Sequence, residues 1–248
     1  MLKMKYVYTC ICFISLIPVT SFGESPDWTD YNAILAKYVS RETNSDVSFN
    51  WVNYSDLIKD QQFKNVIQAL ENFPVSKLQT QEEKLSFYIN AYNVLAINMV
   101  LNHWPVTGIK KIGSWIKPVW DKTAGTIGGK EMTLGMIEHK ILRPLNEPRI
   151  HMAIVCASIS CPDLRTEAYR TNKLDKQLDD QTHLFLLNKG KGARIENNQV
   201  LISKIFDWFK DDFTKKNGVE SFIRNYIDLP EKINIKPGIS YNWSLNGG

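Results

Sequence analysis

Apolar and polar positions recur along this chain with periods that place most of its regular elements. Asp27 to Val39 and Tyr54 to Phe73 carry apolar residues three and four apart, which predicts two amphipathic helices, with Asp56 to Gln62 as a polar surface stretch in the second. Glu82 to Leu101 is apolar around most of its circumference and is expected to run through the interior, with Trp104-Pro105 ending it. Lys122 to Thr133 holds Gly128-Gly129 between short β-compatible runs and reads as a hairpin. A helix from Thr133 to Arg143 follows, with Thr133 as N-cap. Arg149 to Ala157 is a short continuous apolar run and reads as a buried strand. Lys173 to Asn188 predicts a helix with Leu174, Leu178 and Phe185 on one face, Arg194 to Ser203 a hairpin turning at Asn197-Asn198, and Phe206 to Phe213 a short amphipathic helix. The sum is a helix-rich α+β domain with a small, mainly antiparallel sheet around a buried central helix. No repeat, low-complexity tract or long linker divides it, so residues 24–248 are expected to form a single domain.

The first 23 residues change the picture of where the protein works. Lys3 and Lys5 precede an apolar run from Val7 to Val19, and Ser21 and Gly23 place small residues at −3 and −1 of a cleavage site, the pattern of an export signal. The run is too short for a spanning helix and contains Pro18. Neither Cys10 nor Cys12 sits in a lipobox-like context, so no lipid anchor is expected. The expected location is the periplasm or beyond, with no transmembrane segment. Removing the signal lowers the formal charge from +4 by the two lysines, a balance too small to argue for nucleic acid or an anionic membrane. Hydrophobic content of 44% with 23% charged residues is that of a globular chain and excludes disorder.

Candidate chemistry comes from polar residues that the periods point inward, where an unpaired group costs about 1–3 kcal/mol. Glu138 falls inside the apolar stripe of Leu134, Ile137, Ile141 and Leu142, and His139 lies at its edge. The pair reads either as a structural ion pair of Glu138 with Arg143, Arg149 or Arg165, or as a catalytic carboxylate and histidine. Ser86, Asn90 and Asn93 form one polar seam on the central helix, and Gln181 interrupts the face of Leu178 and Phe185. Such amides hold loop backbone, orient a histidine or substrate, or, for Gln181, donate to an oxyanion. His103 and His183 read as surface histidines.

Only Cys156 and Cys161 remain after the signal, in the segment His151-Met-Ala-Ile-Val-Cys156-Ala-Ser-Ile-Ser-Cys161-Pro. Three chemistries compete. Cys156 acts as a thiolate nucleophile with His139 as base and Glu138 or Asn90 as orienter. His139, His151, Cys156 and Cys161 bind zinc, for which a Cys-x4-Cys spacing is a weak match. Or the cysteines close a local disulfide that pins the Ser158–Ser160 loop, as export would allow. In a regular strand His151 and Cys156 point to opposite faces about 16 Å apart, so His151 serves as base only if the strand ends or bulges between them.

Phe87-Tyr-Ile-Asn-Ala-Tyr-Asn93, Ile137-Glu-His-Lys-Ile-Leu-Arg143, Pro148 through Pro162 with its Cys-Ala-Ser-Ile-Ser-Cys-Pro run, Leu178-Asp-Asp-Gln181, Ile205-Phe-Asp-Trp-Phe-Lys-Asp-Asp-Phe213 and Tyr241-Asn-Trp-Ser-Leu-Asn246 resemble the family numbered 547 among the domains of unknown function. The resemblance covers about residues 50–246. It implies that bacterial members are often exported and that related eukaryotic domains occur in larger proteins, some beside glutaredoxin-like or coiled-coil segments; it implies no reaction. Lys110 to Trp120 matches no motif with a known meaning.

The expectation is a papain- or transglutaminase-like thiol centre acting on an amide or ester, in a cleft between the central helix and the strand ending at Cys156. Cys156, His139, Glu138, Asn90 and Gln181 are the expected catalytic residues. Asn93, His151, Ser158, Arg149 and Arg165 are expected to bind a small-molecule or peptide substrate. No cofactor or metal is expected, and a protein partner is left open. The competing expectation is a non-enzymatic exported interaction or scaffold domain with a Cys156–Cys161 bridge.

Overall fold

In the computed structural model, which describes residues 26–44 and 47–248, the chain opens with helix α1 (Thr29–Tyr38) and passes straight into an antiparallel hairpin, β1 (Val39–Asn44) and β2 (Val47–Val52). The segment expected to be an export signal lies outside the described residues. The hairpin had no signature in the sequence, because β1 is exposed beyond Val39 and shows no apolar alternation.

The helix expected over Tyr54 to Phe73 is broken. α2 (Tyr54–Leu57) ends after one turn and α3 (Gln61–Asn72) starts afresh, because Asp60 accepts from the Gln62 backbone N–H at 2.8 Å and becomes an N-cap. The other Asp60 oxygen is held by the Tyr38 hydroxyl at 2.6 Å and Lys37 at 3.0 Å, which fixes α3 against α1.

α4 (Gln81–Leu101) is the central helix. Its start is a capping box: Thr80 accepts from the Glu83 N–H, and the Glu83 carboxylate accepts from the Thr80 N–H. Leu85, Phe87, Ile89, Val94, Leu95 and Val100 are all buried, so the helix is surrounded rather than laid on a surface. Beside it stands the predicted hairpin, β3 (Thr123–Ile127) and β4 (Lys130–Thr133), with Gly128 and Gly129 both at positive φ in the turn.

Thr133 caps the next helix as expected, accepting from Met136 N–H at 3.0 Å. The helix itself departs from the regular period. After one α-turn, α5 (Leu134–Met136), residues Ile137–Leu142 wind as a π-helix, closed by the Arg143 N–H on the Glu138 carbonyl, and a 3-10 turn at Arg143–Leu145 follows. Pro144 has no N–H to continue an α ladder. Single π-turns of this kind concentrate at functional sites.

The buried strand expected at Arg149 to Ala157 is not a strand. Its first half is a short helix, α6 (Ile150–Ala153), entered through turns from Glu147 and Pro148, and only from Ile154 is the chain extended. Every residue from Ile150 to Val155 is buried, so neither period could be read from the run.

α7 (Leu174–Leu187) follows, and then a second, smaller core. It is built on a sheet of order β5 (Ala193–Glu196), β6 (Gln199–Ser203) and β7 (Asn234–Ile239), with β5–β6 antiparallel and β6–β7 parallel. The β5–β6 turn has Asn197 and Asn198 at positive φ, as the sequence predicts. The helix expected over Phe206 to Phe213 divides into α8 (Ile205–Trp208) and a 3-10 segment, Lys210–Lys216, before α9 (Gly218–Arg224). Phe185, Phe206, Phe213 and Phe222 fill this second core, while Leu174 and Leu178 of the same α7 belong to the first.

The last residues stitch the parts together. Leu245 N–H bonds Thr107, Asn246 N–H bonds Ala157, Val52 N–H bonds Asn246, and the Tyr54 hydroxyl donates to the buried Asn246 side chain at 2.9 Å. The architecture is α+β, with small sheets around the central helix. No helix among the described residues is long and apolar enough to cross a membrane.

Candidate functional site

A cavity of about 320 Å³ opens where the two cores meet. The first core contributes Tyr92 of α4, Glu138 and His139 of the π-turn, and His151, Ile154, Cys156 and Cys161 from α6 and the loop after it; the second contributes Ile205, Trp208 and Phe209. Tyr241 and Trp243 of the C-terminal segment and Lys110 and Trp120 of the loop after α4 complete the wall. The aromatic groups touch one another. Trp208 stacks on Trp243 at 5.6 Å between ring centroids, Tyr241 lies 4.4 Å from Trp243, and Lys110 Nζ sits 4.4 Å above the Trp243 ring.

Cys156 and Cys161 are bonded to each other as a disulfide, with Cα atoms 6.3 Å apart. Cys161 is buried and Cys156 half-buried. The Cys161 sulfur receives two donors, the Cys156 N–H at 3.0 Å and the Tyr241 hydroxyl at 3.2 Å. Ser158 stands 3.2 Å from the Cys156 sulfur. Between them Ala157 is held in the left-handed region at φ 54°, an uncommon conformation for a residue with a Cβ, and the Asn246 N–H bonds its carbonyl.

Opposite lies a charged relay. His151 is buried and stacks on Phe209 at 4.0 Å, with Nε2 2.7 Å from Asp212 Oδ2. Arg143 grips the same carboxylate through Nε at 2.6 Å and a second guanidinium nitrogen at 2.8 Å. Burial pushes the Asp212 carboxyl up, but the bonds from His151 and Arg143 outweigh it and hold it well below the usual carboxylate range. Burial pulls the His151 imidazole below its ordinary value, only partly offset by Asp212. An ionised Asp212 accepts from Nε2–H, which leaves Nδ1 as the basic nitrogen of a neutral imidazole. Nδ1 is buried and has no hydrogen-bond partner.

Glu138 is buried, and burial pushes its carboxyl up to about 7 against the lowering effect of Arg143 and the Tyr92 hydroxyl. It forms no fork with Arg143, whose guanidinium is engaged by Asp212. His139 is drawn below its ordinary value by burial and by Arg143, which donates to His139 Nδ1 at 3.2 Å. That contact weakens His139 as a proton acceptor.

Five residues expected from the sequence therefore share the cavity: Cys156, His139, Glu138 and His151, with Cys161 beside them. His151 and Cys156 do so because the chain between them is helix then loop, so the separation of a continuous strand does not apply. Ser158 lies behind the sulfurs, buried and bonded to Tyr241.

The others are elsewhere. Asn90, expected as orienter, bonds Tyr169 through both ends of its amide, at 2.8 and 2.9 Å. Gln181, expected as oxyanion donor, is buried and donates to the Asp163 carbonyl. Asn93, expected to meet substrate, bridges Ala153 O and Val155 N and so anchors the approach to Cys156. Arg149 is engaged by Glu147, Asp175 and Asp179, and Arg165 by Glu167. All five corrections have one cause: a buried amide or guanidinium bonds the nearest loop backbone or carboxylate before it can face a void. The zinc alternative finds no geometry either, since among the described residues no group of three or more His, Cys, Asp or Glu side chains is arranged to hold a metal ion.

Asp212, Tyr92, Tyr241 and the three cavity tryptophans were missed. Asp212 lies in the run from Phe206 to Phe213, whose amphipathic period singles out no polar residue; the signal for it was its place inside the motif Ile205 to Phe213.

No curated protein and no solved structure matches the chain. Residues 75–186 match the model of one family, a span that holds α4, the π-turn, His151 and both cysteines and stops short of Asp212 and Tyr241. That segment, a little under half of the chain, is similar to the family described as "Protein of unknown function, DUF547".

Proposed function

We propose that the cavity is the catalytic site of an exported thiol-dependent hydrolase or acyl transferase acting on an amide or ester, and that the Cys156–Cys161 bond keeps it at rest until a dithiol reductant opens it. The observation that carries the reading is His151: its Nε2 is committed to Asp212, and its free Nδ1 is buried in a wall that also holds Cys156. This is the nucleophile, base and orienter logic of thiol acyl transfer, with His151 rather than His139 as base.

The chemistry runs in balanced steps. The dithiol gives two electrons to the disulfide, becomes a disulfide itself, and leaves two protein thiols. Exchange favours attack on the more open Cys156, because the Cys161 thiolate that departs is met by two donors, the Cys156 N–H and the Tyr241 hydroxyl. A second thiol of the reductant then frees Cys156. His151 Nδ1 takes the Cys156 proton, the thiolate bonds to the substrate carbonyl carbon, and the carbon–nitrogen or carbon–oxygen bond breaks as the imidazolium returns the proton to the leaving group. Water, or an acceptor amine or alcohol, then cleaves the thioester with His151 again as base. Glu138, with a carboxyl half protonated near neutrality, can donate a hydrogen bond to the bound carbonyl or leaving group. The aromatic wall selects an apolar or aromatic acyl or leaving group.

p-Nitrophenyl acetate tests this. After reduction by dithiothreitol the protein should release a burst of p-nitrophenolate and carry the acetyl group on Cys156. The burst should be absent without reduction and from Cys156→Ala, and slowed by about 10²-fold in His151→Ala. No burst from the reduced protein, or acetylation confined to lysines, would sink the proposal.

The second reading, an exported interaction domain with a structural bridge, is favoured by the backbone ladder behind the sulfurs: Ile159 N–H to Ser244 and Ser160 N–H to Asn242 fasten the bridged loop to the C-terminal segment. On that reading the reduced protein shows no burst.

A further inference from the structure

The loop between α4 and β3 provides the cavity with Lys110 and Trp120, and between them it raises a tip that nothing in the molecule covers. Ile109, Ile112 and Val119 bury the base of this loop in the first core. Trp115 is 91% exposed and Ile116 77%, the two most exposed large apolar side chains among the described residues. They occupy the middle of a tight turn closed by Ser114 N–H on the Lys117 carbonyl at 2.9 Å and by Lys117 N–H on Ser114 Oγ at 3.1 Å. The turn is drawn together at Gly113, where an added Cβ would run into the backbone of Pro118 and Val119. The loop thus packs three aliphatic side chains and holds two others, adjacent, in solvent. Lys111 and Lys117 are exposed on either side of them in the chain, Lys110 leans over Trp243 at the cavity lip, and Lys122 follows; Asp121 is the sole acid from 110 to 122.

We infer that this tip is a docking element for a membrane surface containing anionic lipid, with Trp115 and Ile116 entering the interfacial layer and the lysines facing the headgroups. The inference rests on the loop alone and is independent of the chemistry of the cavity. Two side chains are far too small a patch for a stable protein interface, whose centre also excludes lysine. A tryptophan beside an aliphatic residue, flanked in the chain by exposed lysines, fits the boundary of a bilayer, where indole is favoured and an anionic surface attracts the basic groups. The formal charge of the whole chain gives no sign of this partner, because the lysines act through their clustering at one tip. Trp120 and Lys110 tie the tip to the cavity lip, so docking would hold the cavity beside the lipid surface.

Cosedimentation of the full chain with phosphatidylcholine vesicles, with and without roughly one-third phosphatidylglycerol, reads the effect. The protein should partition onto the anionic vesicles and much less onto neutral ones. Trp115→Ala with Ile116→Ser should lower partitioning by at least about tenfold while leaving thermal unfolding unchanged, because both side chains are in solvent. Lys111→Glu with Lys117→Glu should remove the preference for anionic lipid, at roughly fivefold or more per lysine. The inference is overturned if the protein does not sediment with anionic vesicles or if the tip variant binds as well as the parent. It is also overturned if the parent forms a concentration-dependent dimer that the tip variant abolishes, which would assign the patch to self-association.

Discussion

Glu138 shows how one side chain carries the electrostatics of the site. Its ordinary carboxyl value of 4.5 is pushed up to about 7 by burial, so the folded protein holds a proton there that the unfolded chain has already lost. Stability from this group is full below about pH 4.5 and declines as pH rises through about 7, with a total of about 3 kcal/mol at stake. Glu138→Gln keeps the shape and removes the titration. Chemical denaturation across that range should show the variant close to the parent at low pH and gaining relative stability toward high pH. A parent and variant that fall in parallel would mean that the carboxyl stays ionised in a buried pair, the structural reading of the sequence. Glu138 itself was legible as a carboxylate inside an apolar stripe. Asp212, which orients the base, was not, because a polar residue on the polar side of an amphipathic segment raises no contradiction.

At the scale of elements, the region around Cys156 is held by groups that the sequence marked as anomalies but could not assign. Asn93 satisfies Ala153 O and Val155 N at the end of α6, and with Asn90 it ties the central helix to two loops. Asn93→Ala leaves two buried backbone groups without partners. It should cost about 1–3 kcal/mol in thermal or chemical unfolding and increase amide exchange at Val155; an unchanged protein would mean that the segment is positioned by the disulfide alone. The long central helix, the Gly128-Gly129 and Asn197-Asn198 hairpins and the Thr133 cap were legible because period and turn chemistry agree there. The run from Arg149 to Ala157 was not, since burial on all sides erases the difference between the two periods. The π-turn at Ile137–Leu142 is invisible for another reason: it keeps helical residue preferences and changes only the hydrogen-bond step.

At the scale of the molecule, the cavity exists because two cores meet and a C-terminal segment crosses their seam, bringing Tyr241 and Trp243 to residues some hundred positions earlier in the chain. Such long-range closure leaves no local pattern, so the sequence could nominate Cys156, His139, Glu138 and His151 without showing which histidine serves the sulfur. The central claim is that His151, set by Asp212 and Arg143, activates Cys156 once the bridge is opened. The most direct test is the rate of iodoacetamide alkylation of the reduced protein from about pH 5 to about pH 9, with the labelled cysteine identified by peptide mass spectrometry. The account predicts that Cys156 is alkylated well ahead of Cys161 across that range, with His151 as its base, and that the lead shrinks in Asp212→Asn. Alkylation that follows an ordinary thiol in both proteins, or that prefers Cys161, would contradict it.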